Sequence, residues 1–215
     1  MSLDPHAGQP VVEAGKPLGQ APAAAILVHG RNAGPPNILD LLPRLDRPGL
    51  TYLAPAAADR TWYPHSFMAD VASNEPGLSS GLSRLAALVA RAEAAGIPRS
   101  RVVLMGFSQG ACLTAEFAIR HAARFGGVVL FSGGAIGPPG TTWDHPGRFD
   151  GTPVFLGCSD RDSHVPESRV TESAELFARM GASVTKRIYP GMGHLVNDDE
   201  IRVAQRILDA AAGGC

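Results

Sequence analysis

Arg101-Val-Val-Leu-Met-Gly-Phe-Ser-Gln-Gly-Ala111 is the stretch that decides how this chain is read. Val102–Met105 is an unbroken apolar run of strand length, and Ala111–Arg120 beyond it is helix-like. Between them lies Gly106-Phe107-Ser108-Gln109-Gly110. A G-x-S-x-G pattern in that setting is the nucleophile elbow, a turn tight enough to hold its serine at the apex with strained backbone angles. Glycines flank Ser108 because a Cβ at either place would collide with the neighbouring strand or helix. The turn lifts Oγ clear of the sheet and points the N–H of Gln109 into the same space. The bare pattern is weak in a chain with 25 glycines, so its weight comes from the strand before it and the helix after it. Ser108 is the candidate nucleophile; the plain alternative is a β-turn-α junction with a surface serine.

A serine hydroxyl at neutral pH needs a base, and the base needs an orienting group. Behind this kind of elbow the partners follow in the order Asp or Glu, then His. Both occur downstream, each just past a predicted strand. Thr152–Gly157 runs into Cys158-Ser-Asp160-Arg-Asp162-Ser-His-Val-Pro166, and Ser183–Tyr189 runs into Pro190-Gly-Met-Gly-His194. Loops after strands form the edge at which open α/β sheets bind ligands. Either aspartate could orient His194, Asp160 being nearer the strand end.

Four blocks, Leu27-Val-His-Gly30, Gly106-Phe-Ser-Gln-Gly110, Asp162-Ser-His-Val-Pro166 and Gly191-Met-Gly-His194, resemble the phospholipase/carboxylesterase group of serine hydrolases, which includes the acyl-protein thioesterases. The resemblance implies an α/β-hydrolase fold, with a mostly parallel central sheet and helices on both faces. It implies Ser108 as nucleophile, His194 as base, Asp162 as orienter, and an oxyanion hole built from the N–H groups of Arg31 and Gln109. Ser163 stands where relatives usually carry proline, and Arg31 where they commonly carry leucine. A guanidinium beside the pocket mouth would favour anionic or strongly polar esters over long bare acyl chains; a salt bridge or simple solvation of Arg31 is the alternative.

The composition fits one α/β domain spanning residues 1–215. A net charge of −1 gives no electrostatic case for nucleic acid or for an anionic membrane. Cys112, Cys158 and Cys215 make an odd set without metal-like spacing, which suits reduced thiols in a cytoplasmic protein. No signal peptide is visible in Met1–His6, and no apolar run reaches membrane-spanning length. Asp160 and His164 lack a third ligand at a recognisable spacing, so no metal is expected, nor any organic cofactor. Monomer and homodimer are equally compatible with the sequence.

Apolar strands alternate with helical stretches, as in a parallel sheet covered on both faces. An edge strand is expected around Val11–Ala14, and buried strands at Ala23–His29, Leu50–Leu53 and Gly127–Phe131. Helices are expected at Pro35–Leu45, Ser79–Ala95, Glu167–Met180 and Asp198–Ala212, with Asp198 and Asp199 capping the last. His29 is expected to shape the oxyanion loop rather than to carry protons. The long stretch before Ser79 holds Thr61-Trp-Tyr-Pro-His-Ser-Phe-Met68, whose clustered aromatics argue for order. Trp62 and Phe67 are expected to line the substrate pocket, unless they only bury a sheet flank.

The activity implied is a serine carboxylesterase acting on small or medium acyl esters through an acyl-enzyme. A small-molecule ester or thioester is the expected partner. An acyl (protein) thioesterase or a lysophospholipase would use the same triad. Dienelactone hydrolase chemistry generally uses cysteine at the elbow, and Ser108 counts against it. A catalytically silent hydrolase-fold binding protein is the rival of another class, against which the ordered triad weighs.

Overall fold

Ala24–Val28 (β2) and Val102–Phe107 (β4) pair in parallel at the centre of a seven-stranded sheet. The computed structural model describes residues 4–213, so Cys215 lies outside the described residues. The remaining strands are Val11–Gly15 (β1), Thr51–Pro55 (β3), Gly127–Phe131 (β5), Pro153–Ser159 (β6) and Ser183–Tyr189 (β7). They lie in the order β1-β3-β2-β4-β5-β6-β7, and only β1, on the edge, runs antiparallel to its neighbour. All five residues of β2, β3 and β5 are buried, as strands covered on both faces should be, whereas the edge strand β7 has no buried residue.

Alternate residues of each strand feed different cores. Ile26, Leu104, Leu130 and Leu156 pack with helices Gly77–Ala94 (α3), Gln109–Arg120 (α4) and Glu167–Arg179 (α5). Leu27, Met105, Val129 and Phe155 face the other way. They meet Ile38 of Pro35–Leu39 (α1), Leu45 of Leu42–Leu45 (α2) and the apolar stripe Ile201, Ala204, Leu208 of Asp198–Ala212 (α6). This is the α/β-hydrolase arrangement. Among the described residues no helix is long and apolar enough to cross a membrane.

Three expectations are corrected. Pro35–Leu45 is two short helices rather than one, because Pro43 has no N–H to continue the ladder from the first helix. The strand expected at Leu50–Leu53 is Thr51–Pro55. The cap of α6 is Asn197, whose side chain accepts the N–H of Glu200 while Glu200 accepts that of Asn197. Asp198 and Asp199 lie in the first turn instead, paired with Arg44 and Arg187.

That capping box carries a cost. Glu200 is fully buried, its Oε1 has no partner among the described residues, and the side chain fills the space left by Gly157 on β6. Burial pushes its carboxyl up to about 7. A carboxyl raised on folding binds its proton more tightly in the native state, so its stabilising effect is complete below the unfolded value and fades as pH rises through 7. Denaturation midpoints between pH 5 and 8.5 should therefore fall more steeply for the wild type than for Glu200→Gln, by about 2–4 kcal/mol across the range. Parallel slopes for the two proteins would show that Glu200 is ionised throughout.

Candidate active site

Strand β4 ends and α4 begins within two residues, which forces Ser108 into φ 56°, ψ −123°. L-residues avoid this region unless the surroundings over-determine it. Here the surroundings do. The Ser108 N–H donates to the Phe131 carbonyl at 2.9 Å, and α4 starts so close to the sheet that side chains are excluded on both flanks. A Cβ on Gly106 would lie 2.5 Å from the Gly110 carbonyl oxygen, and one on Gly110 would lie 2.2 Å from that of Val28. Backbone cannot yield as a flexible side chain can, so both positions need glycine.

Two further loops converge on Ser108. His194 Nε2 stands 2.8 Å from Ser108 Oγ, and His194 Nδ1 stands 2.7 Å from Asp162 Oδ2. Since a carboxylate only accepts, the proton sits on Nδ1, leaving Nε2 to accept from the serine hydroxyl. Asp162 Oδ1 accepts the N–H groups of His164 (2.8 Å) and Val165 (3.0 Å). The thiol of Cys158, pushed up to about 12 by burial, donates to Oδ2 at 3.6 Å. Burial alone would raise the Asp162 carboxyl, but the hydrogen bonds from His194, His164 and Val165 outweigh it and hold the group below the usual carboxylate range.

Asp160, the other aspartate of this loop, does not meet the imidazole. Its Oδ1 accepts the Gly191 N–H at 2.7 Å, while the buried Ser159 hydroxyl accepts that of Gly193 at 3.0 Å. Gly191 and Gly193 both have positive φ (67° and 76°), which lets the segment turn back and return His194 to the serine. The His194 ring packs between Phe107 and His164, with ring centres 4.9 and 4.7 Å away.

The N–H groups of Gln109 and Arg31 have no acceptor among the described residues. His29 shapes the loop that carries Arg31. Its Nε2 accepts the Ala57 N–H at 3.1 Å, so Nδ1 donates to the Gly30 carbonyl at 2.8 Å, and burial lowers its pKa and keeps the ring neutral. The side chains of Arg31 and Gln109 both hold residues 61–65. Arg31 donates to the carbonyls of Tyr63 (2.9 Å), Pro64 (2.9 Å) and His65 (2.7 Å), and Gln109 accepts the Trp62 N–H (3.0 Å) and donates to the Tyr63 carbonyl (2.8 Å). Arg31 is thus neither salt-bridged nor merely solvated. The sequence reading missed both side-chain roles, and Gln109, a long amide at the start of a buried helix, was the visible hint.

These elements enclose a cleft of about 820 Å³. Ser108 and His194 open onto it. Tyr63, Phe67, Cys112 and Val165 line one part, and Ile38, Leu41, Leu195 and Val196 another. Phe67 is on the wall of this cleft, whereas Trp62 is not. Trp62 is fully buried beneath the loop, where its indole N–H donates to the His29 carbonyl at 2.8 Å and its own carbonyl meets His6 Nε2 at 2.9 Å. A buried indole N–H needs an acceptor, and the His29 carbonyl supplies it.

The chain belongs to the phospholipase/carboxylesterase family, whose model matches residues 50–211. The family's members are serine hydrolases, so the chain is a hydrolase of esters or thioesters. Acyl-protein thioesterase 1 of Eremothecium gossypii is 31% identical over 169 residues, 73% of this chain and 68% of that protein. The Saccharomyces cerevisiae protein of the same name is 30% identical over 49% of this chain and 48% of its own length. The matched segments thus cover 48% to 68% of the length of these curated relatives. A phospholipase/carboxylesterase from Dyadobacter fermentans superposes with a TM-score of 0.90 at 39% identity, covering 94% of this chain and 97% of that one. Acyl-protein thioesterase 2 of Zea mays, at 19% identity and TM-score 0.73 over 95% and 100% of the two chains, shares the fold.

The different settings of the two aromatics separate their expected effects. Trp62→Phe leaves the His29 carbonyl unpaired and should lower the melting temperature by the equivalent of about 1–3 kcal/mol, with KM values for an ester series little changed. Phe67→Ala should instead alter how KM varies with acyl length. Thermal melts and p-nitrophenyl ester kinetics on both variants would check this, and equal effects on KM would contradict the division.

Proposed function

We propose that the protein is a serine carboxylesterase for small or medium acyl esters, with Ser108 as nucleophile, His194 as general base and Asp162 as its orienter. The observation that carries this is the unbroken chain of contacts from Asp162 through His194 to Ser108, at 2.7 and 2.8 Å. As Oγ attacks the ester carbonyl, His194 Nε2 takes its proton and Asp162 stabilises the imidazolium. The N–H groups of Arg31 and Gln109, free of other acceptors, receive the oxyanion, each such donor being worth about 3–4 kcal/mol of barrier. His194 then protonates the leaving alcohol, an acyl-serine remains, and water activated by the same imidazole releases the acid.

A thioester would be cleaved by the same steps. Two observations favour this second reading: the relatives named acyl-protein thioesterases, and the apolar wall of Ile38, Leu41, Leu195 and Val196 beside the serine. Matched oxyester and thioester substrates of increasing chain length, compared by kcat/KM, separate the two.

Ser108→Ala should abolish hydrolysis and labelling by a fluorophosphonate while leaving the melting curve unchanged. Retention of more than about a tenth of wild-type turnover would overturn the nucleophile, since loss of a triad member costs several orders of magnitude. Asp162→Asn should lower kcat by about 10³–10⁴, because the imidazole loses its tautomer. Asp160→Asn keeps an oxygen able to accept the Gly191 N–H and removes only the loop charge, so it should act far more mildly. The reverse ranking would make Asp160 the orienter.

A further inference from the structure

The cleft is electrostatically one-signed. The chain carries 19 Lys and Arg against 20 Asp and Glu, so composition predicts mixed walls, yet no Asp or Glu lines the cleft. Its ionisable wall residues beyond the catalytic imidazole are arginines, histidines, Tyr63 and Cys112. Burial pushes the Tyr63 hydroxyl up and the Cys112 thiol to about 12, so both stay neutral.

The charges do not all count equally. Arg44 is neutralised by Asp198 at 2.6 Å. Arg31 has no acidic partner among the described residues; its guanidinium donates to carbonyl oxygens and lies 6.0 Å from the centre of the Tyr63 ring, contacts that orient the charge without cancelling it. Arg60, exposed behind the same rim, donates to the carbonyl of Asn32, a wall residue, and makes no ion pair among the described residues, even with Asp59 beside it in sequence. His65, whose carbonyl Arg31 binds, and His164, beside His194, are exposed wall residues that contribute no negative charge. The one carboxylate near the serine, Asp162, is buried behind His194 with both oxygens bonded. Walls of one sign over a low-dielectric interior focus the field at the mouth and raise the local concentration of the opposite charge.

Resting on the esterase reading above, we propose that the cleft selects esters or thioesters that carry an anionic group near the scissile carbonyl, drawn by the unpaired charges of Arg31 and Arg60. This differs from the expectation at Arg31 alone. The Arg31 fork is committed to the loop, so the selection is by field rather than by a bidentate clamp, and it depends on ionic strength.

The test uses three esters of equal size: a neutral butyrate, a monoester of a dicarboxylic acid with the charge on the acyl side, and a butyrate of a hydroxy acid with the charge on the alcohol side. At least one charged ester should exceed the neutral one in kcat/KM by about tenfold at low salt, falling to about twofold at 0.5 M salt, where screening is nearly complete. Arg60→Gln should reduce the low-salt preference about threefold without changing turnover of the neutral ester. The arm that responds identifies the side bearing the charge. Turnover of the neutral ester with no preference for either charged one, or a preference indifferent to salt, overturns the inference and leaves the esterase reading intact. Turnover of none of the three overturns both.

Discussion

The backbone of Ser108 is held where an L-residue resists going, and the positions of most other groups in the site follow from that. The strain is sustained by close packing: α4 begins against the carbonyls of Val28 and His29, at a distance only Gly110 permits, and Gly106 lets the same helix pass over β4. Because the helix starts one residue after the serine, the N–H of Gln109 has no acceptor among the described residues and sits at a helix N-terminus, where negative charge is favoured. Strain, exposure of Oγ and a ready donor are therefore three aspects of one turn. Any change that lets α4 retreat from β2 relaxes all three together.

The second constraint is the clamp on residues 61–65. Arg31 and Gln109, whose amides form the proposed oxyanion hole, grip this segment with their side chains, and His6 and Asn74 hold it from the far side. A residue that offers its N–H to the reacting oxygen and its side chain to the pocket wall ties the two geometries together. A displacement of the wall would be felt at the oxyanion site through single residues rather than through a long path. Preorganised donors stabilise charge because they need not move when it appears, and this anchoring supplies the rigidity.

Much of this was legible in the sequence because it is local or ordered along the chain. The elbow is a strand, five residues and a helix, and the acid and base loops follow strands in the required order. The neutral, loop-shaping role of His29 was legible too, from its place in the His-Gly turn. The illegible parts depend on partners distant in sequence that have no side-chain signature. Arg31 binds three backbone carbonyls, which every residue possesses, so no residue type announced the clamp. Trp62 and Phe67 are five residues apart in one irregular loop, and only its course in space puts the indole beneath the wall and the phenyl on it. The break between α1 and α2 falls at Pro43, a signal carried by the sequence itself. At the last helix, two aspartates drew attention from Asn197, whose reciprocal bond with Glu200 needs the observed turn.

The two walls of the cleft are held by interactions of different strength. The Tyr63–Phe67 side is tied by buried or partly buried hydrogen bonds from several elements, and Phe67 also packs against the buried guanidinium of Arg169. The opposite side, α1 and residues 195–196, is linked across its rim by Arg44, through an exposed pair with Asp198 and a 3.3 Å bond to the Val196 carbonyl. Exposed pairs of this kind are worth about 0–1 kcal/mol. The same side bears Leu195, half exposed at 48% and adjacent to His194. Since ester and thioester cleavage ask the same of the triad, discrimination between substrates has to arise in the walls. The rigid wall is bound to the proposed oxyanion donors and cannot change without disturbing them. Under the proposed esterase reading, acyl groups too large for the space beside Phe67 would be taken up on the α1 and Leu195 side, where the linking contacts are weak.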